Sequence, residues 1–338
     1  MRAVVYRTDD PTLRLVDRTP PVPGAGEVLV RVAVSGVNAT DWKARRAAYP
    51  GTPEGVDLVP NQDGAGTIEA VGPGVTRRTV GERVWLWEAA WRRADGTAQE
   101  LVAIPAAQAV PLPEGASLDL GASIGIPAVT AHRCLTVREG APARLSAGAL
   151  AGQTVLVAGG AGAVGHAAVG LARWAGARVV ATVSSPEKAA LATSAGAQHV
   201  VNYRDDGAAD AVRDFAPDGV DVVVEVAPAA NAALDTAVLG LGGVVAAYAA
   251  APGDDVTVPV RDMMTRNIRW QFVLVYTMPR QVKLDAVAAV TEAAAAGALR
   301  VGADAGLPLH YFTLEQMAEA HDAVADGAVG KVLVRVAT

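Results

Sequence analysis

Residues 154–185, TVLVAGGAGAVGHAAVGLARWAGARVVATVSS, constrain the fold more than any other segment. An apolar run predicts a strand, a glycine-rich turn follows it, and an alanine-rich helix leads to a second apolar run. Glycines in such a turn let backbone N–H groups and the helix N-terminus approach a pyrophosphate, so the segment predicts dinucleotide binding. A purely structural glycine turn is the alternative. The candidate cofactor-binding residues of this turn are Gly160, Ala161, Gly162, Ala163, Val164 and Gly165.

The end of the second strand indicates which dinucleotide is bound. An enzyme that prefers NAD carries an Asp or Glu there to accept hydrogen bonds from the adenosine ribose, and residues 181–185 contain neither. Ser184, Ser185 and Lys188 are able instead to donate hydrogen bonds to a ribose 2′-phosphate, whose charge Lys188 would neutralise. We therefore expect NADPH. The alternative is that Ser185 is only a helix N-cap and Lys188 only a solvated helix residue.

The chain is long enough for two domains, because its 338 residues are about twice the common domain size. Up to about residue 125, short β-runs separated by Pro/Gly turns predict an antiparallel, barrel-like domain. From residue 126, strands alternate with helices, which is typical of a doubly wound parallel sheet. We assign 126–265 to a Rossmann domain, and 1–125 with 266–338 to the first domain. The tail KVLVRV is expected to return to the first domain as a half-exposed edge strand.

Charge and composition argue against several classes of function. The formal net charge of −6 is spread along the chain without a basic run, so nucleic acid is not an expected partner. We find no signal peptide and no uncharged apolar stretch of about 18 residues, and therefore expect a cytoplasmic protein without a membrane partner. The single cysteine, Cys134, is expected to be buried, and it excludes an intrachain disulfide and a multi-thiolate zinc site.

Five segments of the chain resemble segments that occur in the same order in the medium-chain dehydrogenase/reductase superfamily. Within it, the chain is most similar to the zinc-independent quinone oxidoreductase family, which includes zeta-crystallin. This resemblance implies an α/β fold, with a GroES-like β-barrel-type catalytic domain and a Rossmann domain with a doubly wound parallel sheet. The segments are GVNATDWKARRAAYP (36–50), PNQDGAGTIEAVGPGV (60–75), GASIGIPAVTAHRCL (121–135), VAGGAGAVG (157–165) and GAQHVVNY (196–203).

Comparison with the zinc alcohol dehydrogenases of the same superfamily indicates whether this chain has the ligands for a catalytic zinc. Those proteins look like GVCHTD and GHExxG at the first two segments. Here the cysteine position is Asn38, the His-Glu pair is Gln62-Asp63, and the third ligand position falls near Ile126. Because a catalytic zinc normally needs three protein donors from Cys, His and carboxylate, we expect no metal.

The resemblance implies three catalytic candidates: Asn38, Gln62 and Tyr49. The Asn38 amide is expected to hydrogen-bond the nicotinamide or a substrate oxygen, and a turn asparagine is the alternative. Gln62 is expected to line the vacated metal loop beside Asp63. Tyr49 matches a tyrosine that looks like the proton donor of enoyl-thioester reductases, and its alternative role is to shape the cleft.

The same resemblance adds five cofactor-binding candidates. Thr130 is expected near the nicotinamide phosphate, and Tyr203 near the adenosine 2′-phosphate. The alternative for Tyr203 is a strand cap against the adenine pocket. The segment QFVLVY (271–276) is expected to line the nicotinamide carboxamide through its backbone, or else to be plain core. Its candidate residues are Val273, Leu274 and Val275.

The resemblance implies NADPH-dependent reduction of a quinone, because a conjugated acceptor needs no Lewis acid. One alternative is an enoyl-(thio)ester or enone reductase in a biosynthetic pathway, and another is a non-catalytic NADPH-binding protein. The expected partner is a small-molecule quinone or enone, and an apolar sheet edge predicts a homodimer. A carrier-bound thioester would favour a basic patch, for which the candidates are Arg45, Arg46, Arg92 and Arg93.

Overall fold

The structure is a computed structural model that describes residues 1–336. Its helices are α1 (Ala39–Arg46), α2 (Leu118–Leu135), α3 (Ala163–Trp174), α4 (Pro186–Ala195), α5 (Ala208–Phe215), α6 (Pro228–Val238), α7 (Val260–Arg266), α8 (Arg280–Ala295) and α9 (Met317–Ala325). Its strands are β1 (Arg2–Arg7), β2 (Asp10–Asp17), β3 (Glu27–Val37), β4 (Asp63–Val71), β5 (Arg83–Leu86), β6 (Leu101–Pro105), β7 (Ala109–Pro111), β8 (Thr154–Ala158), β9 (Arg178–Val183), β10 (His199–Asn202), β11 (Val220–Glu225), β12 (Leu239–Ala247), β13 (Arg269–Phe272), β14 (Leu309–Thr313) and β15 (Lys331–Arg335). The predicted α/β class is confirmed.

The chain divides into two compact units. Unit 1 comprises Met1–Ile126 and the chain from Leu309 onward, and unit 2 is Pro127–Pro308. The sequence placed 266–308 in the first domain, and the structure corrects this assignment. Strand β13 pairs in parallel with β12 and so extends the sheet of unit 2. An apolar run alone does not reveal which of two sheets a strand will join.

Unit 1 is built on a seven-stranded sheet with the order β14-β15-β3-β4-β5-β7, and β6 also pairs with β3. Most of its neighbours are antiparallel, as expected for the barrel-like domain. The tail strand β15 does return to this unit, but it lies between β14 and β3 rather than at an edge. Its lysine, Lys331, is buried, so the expectation of a half-exposed strand was wrong. The buried partners of this charge, described below, are the physical reason.

Unit 2 contains a six-stranded sheet with the order β10-β9-β8-β11-β12-β13, and every adjacent pair is parallel. Strand β8 is buried along its whole length, and β9 and β11 are each buried at all but one residue. Burial of parallel strands on both faces explains their continuous β-branched sequences. The predicted doubly wound sheet is therefore confirmed. Cys134 is buried, as expected. Within residues 1–336, no helix is long and apolar enough to span a membrane.

Candidate functional site

Close backbone packing shapes the glycine turn after β8. A Cβ atom on Gly165 would lie 2.3 Å from the Gly159 carbonyl oxygen, and one on Gly160 would lie 2.8 Å from the Ala181 Cβ. Both glycines are therefore required by the fold. Gly162, the N-cap residue of α3, has more space, because its added Cβ would meet its nearest atom at 3.4 Å. This leaves the first turn of α3 open to an anion at the carboxyl end of β8.

Hydroxyl and basic side chains gather where β9 and β10 end. The Lys188 Nζ donates a 3.0 Å hydrogen bond to the Ser184 Oγ. The Ser185 Oγ accepts from the Lys188 backbone N–H at 3.4 Å, so Ser185 caps α4 as its alternative role predicted. Arg204 lies over the ring of Tyr203 at 5.9 Å and donates to the Ser184 carbonyl oxygen at 3.5 Å. Two cations and two hydroxyls on adjacent strand ends suit a phosphate dianion.

The remaining cofactor candidates lie in unit 2, where their roles stay predictions. Thr130 is buried in α2. Val273 follows the last residue of β13, and its backbone N–H donates to the Ala247 carbonyl oxygen at 2.8 Å. Val275 is buried, whereas 43% of Leu274 is exposed. The segment is therefore a strand end rather than continuous core, with Leu274 available to a ligand.

In unit 1, Asn38, Asp63 and Ile126 lie close together; these are the positions that correspond to zinc ligands in the zinc alcohol dehydrogenases. The Asn38 Nδ2 donates to the Asp63 Oδ2 at 2.7 Å, and the Ile126 backbone N–H donates to the Asp63 Oδ1 at 2.8 Å. The Ile126 N–H thus reaches the Asp63 carboxylate from within α2, one residue before Pro127. The carboxylate thus joins a helix end, a strand and a helix interior around one polar centre.

A buried ammonium and a second carboxylate complete this centre. The Lys331 Nζ donates to the Asn38 Oδ1 at 2.6 Å and lies 3.8 Å from the Asp63 Oδ2. Asp41 accepts from the backbone N–H groups of Asn38 at 2.7 Å and Gln62 at 3.2 Å. Burial raises the pKa of Asp41 to about 8 and also raises the pKa of Asp63, although Lys331 opposes the latter shift. Burial lowers the pKa of Lys331.

Gln62 and Tyr49 both contact the loop that follows β5. The Gln62 Oε1 accepts from the Ala90 backbone N–H at 3.1 Å. The ring of Tyr49 meets the ring of Trp91 edge-on, with 5.5 Å between centroids. The side chains of Tyr49 and Trp91 are both half-buried. Neighbouring loop residues therefore fix two of the three catalytic candidates, while Lys331 and Asp63 fix the third, Asn38.

Known proteins match the chain in both units. A family described as "Alcohol dehydrogenase GroES-like domain" matches residues 24–114, and one described as "Zinc-binding dehydrogenase" matches residues 163–292. A quinone oxidoreductase from Lama guanicoe is 31% identical over 318 residues, which cover 93% of this chain and 90% of that protein. The chain belongs to the zinc-independent quinone oxidoreductase family of the medium-chain dehydrogenase/reductase superfamily. It is therefore an oxidoreductase enzyme, as the sequence predicted.

Solved structures share this fold over nearly the whole chain. A mycobacterial protein crystallised with NADPH is 28% identical, covers 99% of this chain and all of its own, and has a TM-score of 0.80. An NAD-dependent alcohol dehydrogenase is 26% identical over the whole of both chains, with a TM-score of 0.84. These two structures resemble the chain about equally well, yet one is named with NADPH and the other with NAD. The cofactor of this family member therefore depends on its own residues.

The residues of this quinone oxidoreductase family member do not fit a catalytic zinc. Asn38 offers an amide whose oxygen accepts from an ammonium, and Ile126 offers no donor side chain. Asp63 already accepts from an amide and from a backbone N–H, beside the Lys331 charge. No group of three His, Cys, Asp or Glu that could hold a metal occurs within residues 1–336.

Sequence reasoning missed Lys331, Asp41 and Arg204. Each carries a local signal: a lysine in an apolar strand, an acid at capping-box distance from Asn38, and a base directly after a strand end. Two further buried residues, Asn61, which directly precedes Gln62, and His321, are hydrogen-bonded to each other. Asn61 has a φ of 75°, and its Oδ1 lies 2.9 Å from the Nε2 of His321. Burial lowers the pKa of His321 to about 3, so this histidine is neutral.

Proposed function

We propose that this enzyme transfers a hydride from NADPH to a quinone or a similar conjugated acceptor without a metal ion. The observation that carries the proposal is the centre formed by Asn38, Asp63 and Lys331, in which an internal ammonium replaces a metal cation. Such a centre lacks an open Lewis acid, which favours an acceptor that is already electron-poor. The named quinone oxidoreductase relative supports the same acceptor class.

NADPH supplies the hydride, and unit 2 supplies the residues that would hold it. The open N-terminus of α3 would bind the pyrophosphate through backbone N–H groups between Gly160 and Gly165. Ser184, Lys188 and Tyr203 would bind the 2′-phosphate, and the mycobacterial neighbour with NADPH supports this choice of dinucleotide. Contacts of Thr130 and the Val273–Val275 segment with the nicotinamide half remain part of the proposal.

Unit 1 would stabilise the charge that develops on the acceptor oxygen. Hydride addition to one end of the conjugated system leaves a negative oxygen at the other, and an N–H donor stabilises that charge. Asn38 would supply this donor, and Gln62 would line the loop beside Asp63. One proton must also reach the product, because a hydride and a proton together convert a quinone into a hydroquinone. The Tyr49 hydroxyl is the proposed proton donor.

Replacing Lys188 with alanine tests the cofactor. We expect the KM for NADPH to rise roughly 10- to 100-fold, because a charge-assisted hydrogen bond contributes about 1.5–3 kcal/mol. The KM for NADH, which lacks the phosphate, should change little. The measurement is steady-state reduction of one para-quinone with each cofactor.

Lys43→Ala is the control for loss of a lysine, because Lys43 lies over the ring of Trp42 in unit 1, far along the chain from the proposed phosphate site. It should leave both KM values unchanged. An equal rise for NADPH and NADH in Lys188→Ala would show that Lys188 does not recognise the phosphate. Absence of quinone turnover in the unchanged enzyme would instead refute the acceptor.

Enoyl-thioester reduction is less well supported, because two of the four basic side chains suggested for a carrier, Arg45 and Arg93, are already engaged. Arg45 donates to the Pro11 carbonyl oxygen at 3.3 Å and has a largely buried side chain. Arg93 donates to the Ala103 carbonyl oxygen and lies 3.5 Å from Glu27. These contacts reduce the positive charge that a carrier-bound phosphate would find. We therefore favour a free quinone.

A further inference from the structure

Opposite charges hold the two ends of the Asn38 carboxamide. Its oxygen accepts from the Lys331 ammonium at 2.6 Å, and its nitrogen donates to the Asp63 carboxylate at 2.7 Å. Rotating the amide by half a turn would place its N–H groups against the ammonium and its oxygen against the carboxylate. Both contacts would then be repulsive, so the charges allow one orientation only.

Burial strengthens this constraint. Asp63 and Lys331 are at most 1% exposed and Asn38 is 8% exposed, so water screens their interactions little. The two charges are also tied to the backbone, since the Lys331 Nζ donates to the Val37 carbonyl oxygen at 3.1 Å and the Ile126 N–H donates to Asp63. The carboxamide is consequently held by groups that are themselves fixed.

One glycine makes room for the carboxylate. A Cβ on Gly125 would lie 2.2 Å from the Asp63 Oδ1. Gly125 is inside α2, where glycine is less favourable than alanine. The close approach of the carboxylate accounts for a glycine at this helical position.

We propose that Lys331 and Asp63 are positioning residues that hold the Asn38 carboxamide so that its second Nδ2 hydrogen is presented to the oxygen of the acceptor. This inference rests on the proposed function, because it assigns Asn38 the contact with substrate. Lys331 also withdraws electron density from the amide through its oxygen, which strengthens the remaining N–H as a donor. Neither Lys331 nor Asp63 touches the acceptor.

A double-mutant cycle tests whether Lys331 acts through Asn38. Asn38→Ala should lower kcat for a quinone roughly 100-fold, and Lys331→Met should lower it at least about 10-fold. NADPH affinity should stay within about twofold in both variants. In the double variant, kcat should fall within about threefold of that of Asn38→Ala, because the lysine has nothing left to position. If the double variant instead lost kcat by the product of the two single-variant factors, the proposal would be overturned.

A charge-balanced variant separates positioning from folding. Lys331→Met leaves Asp63 buried without its cation, and this alone destabilises a protein. Lys331→Met/Asp63→Asn removes both charges with little change in volume. Positioning predicts that this variant folds yet keeps a low kcat, whereas a purely structural pair would regain kcat with stability. Lys43→Met is the lysine control and should retain wild-type kcat.

A spectroscopic readout decides the orientation independently of any activity. The chain has five asparagines, so selective ¹⁵N labelling gives few side-chain amide signals, and Asn38→Ala identifies the one from Asn38. This signal should move strongly in Lys331→Met, and an unchanged signal would overturn the proposal. If the wild type reduces no quinone while the Asn38 signal moves, the proposed acceptor fails but the fixed orientation of Asn38 stands.

Discussion

Gly165→Ala is expected to destabilise unit 2 by about 3 kcal/mol and to abolish NADPH binding. The added methyl group would lie 2.3 Å from the Gly159 carbonyl oxygen and 3.0 Å from the Gly160 Cα, which are backbone atoms that cannot rotate away. The backbone N–H groups of Gly159 and Gly160 both donate to the Thr182 carbonyl oxygen, so the turn has little freedom to shift. Overpacking typically costs about 1–3 kcal/mol, and a rigid backbone places this case at the upper end.

Urea unfolding and fluorescence titration with NADPH measure the two effects, and Gly162→Ala is the matched control. The Gly162 φ of −82° suits alanine, and the added Cβ makes only an ordinary contact at 3.4 Å. The control should therefore retain its unfolding midpoint, although the methyl group beside the helix N-terminus should weaken NADPH binding. A Gly165→Ala protein as stable as the control would contradict the tight-turn argument.

Asp235→Asn is expected to change how stability depends on pH. Asp235 in α6 and Glu225 at the end of β11 are both fully buried. Burial, followed by the nearby Glu225 charge, raises the pKa of Asp235 to about 9, and burial also raises the pKa of Glu225. The folded protein therefore keeps a proton that the unfolded chain releases above its ordinary pKa of 3.8. The contribution of Asp235 and Glu225 to the free energy of unfolding is therefore greatest at low pH and falls as the pH rises toward 9.

The asparagine amide still donates to Glu225 but does not titrate, so the variant should lose this decline and be more stable than wild type at pH 8. One proton contributes at most about 1.4 kcal/mol per pH unit. Thermal or urea unfolding from pH 5 to 9, taken as the difference between variant and wild type, isolates Asp235 from other groups. The exposed Asp218, changed to Asn, controls for the loss of a negative charge. Parallel wild-type and Asp235→Asn curves would be inconsistent with a shared proton.

The sequence predicted much of unit 2 because its determinants are local. Continuous β-branched runs marked β8 to β12, and glycine spacing marked the turn before α3. The segment 266–308 was misassigned because the pairing of β13 with β12 is a long-range contact. Composition within one strand does not identify its neighbour, so this boundary required the structure.

The candidate site shows the same limit. The motifs predict roles for Asn38 and Gln62, and in the structure the Asn38 amide donates to Asp63 while the Gln62 backbone N–H donates to Asp41. Lys331, however, lies in a tail whose sequence predicts a half-exposed edge strand, although its ammonium donates to Asn38 from the far end of the chain. A buried ion pair becomes visible only when distant segments are brought together. Its partners, rather than its residue type, determine its burial.

The most direct measurement is NADPH oxidation by purified enzyme treated overnight with a chelator, with a simple para-quinone and an enoyl-thioester offered in parallel. We predict turnover of the quinone at the rate of untreated enzyme, because Lys331 rather than a metal supplies the positive charge beside Asn38. Turnover of the enoyl-thioester alone, or loss of quinone reduction after chelation, would contradict a metal-independent quinone reductase.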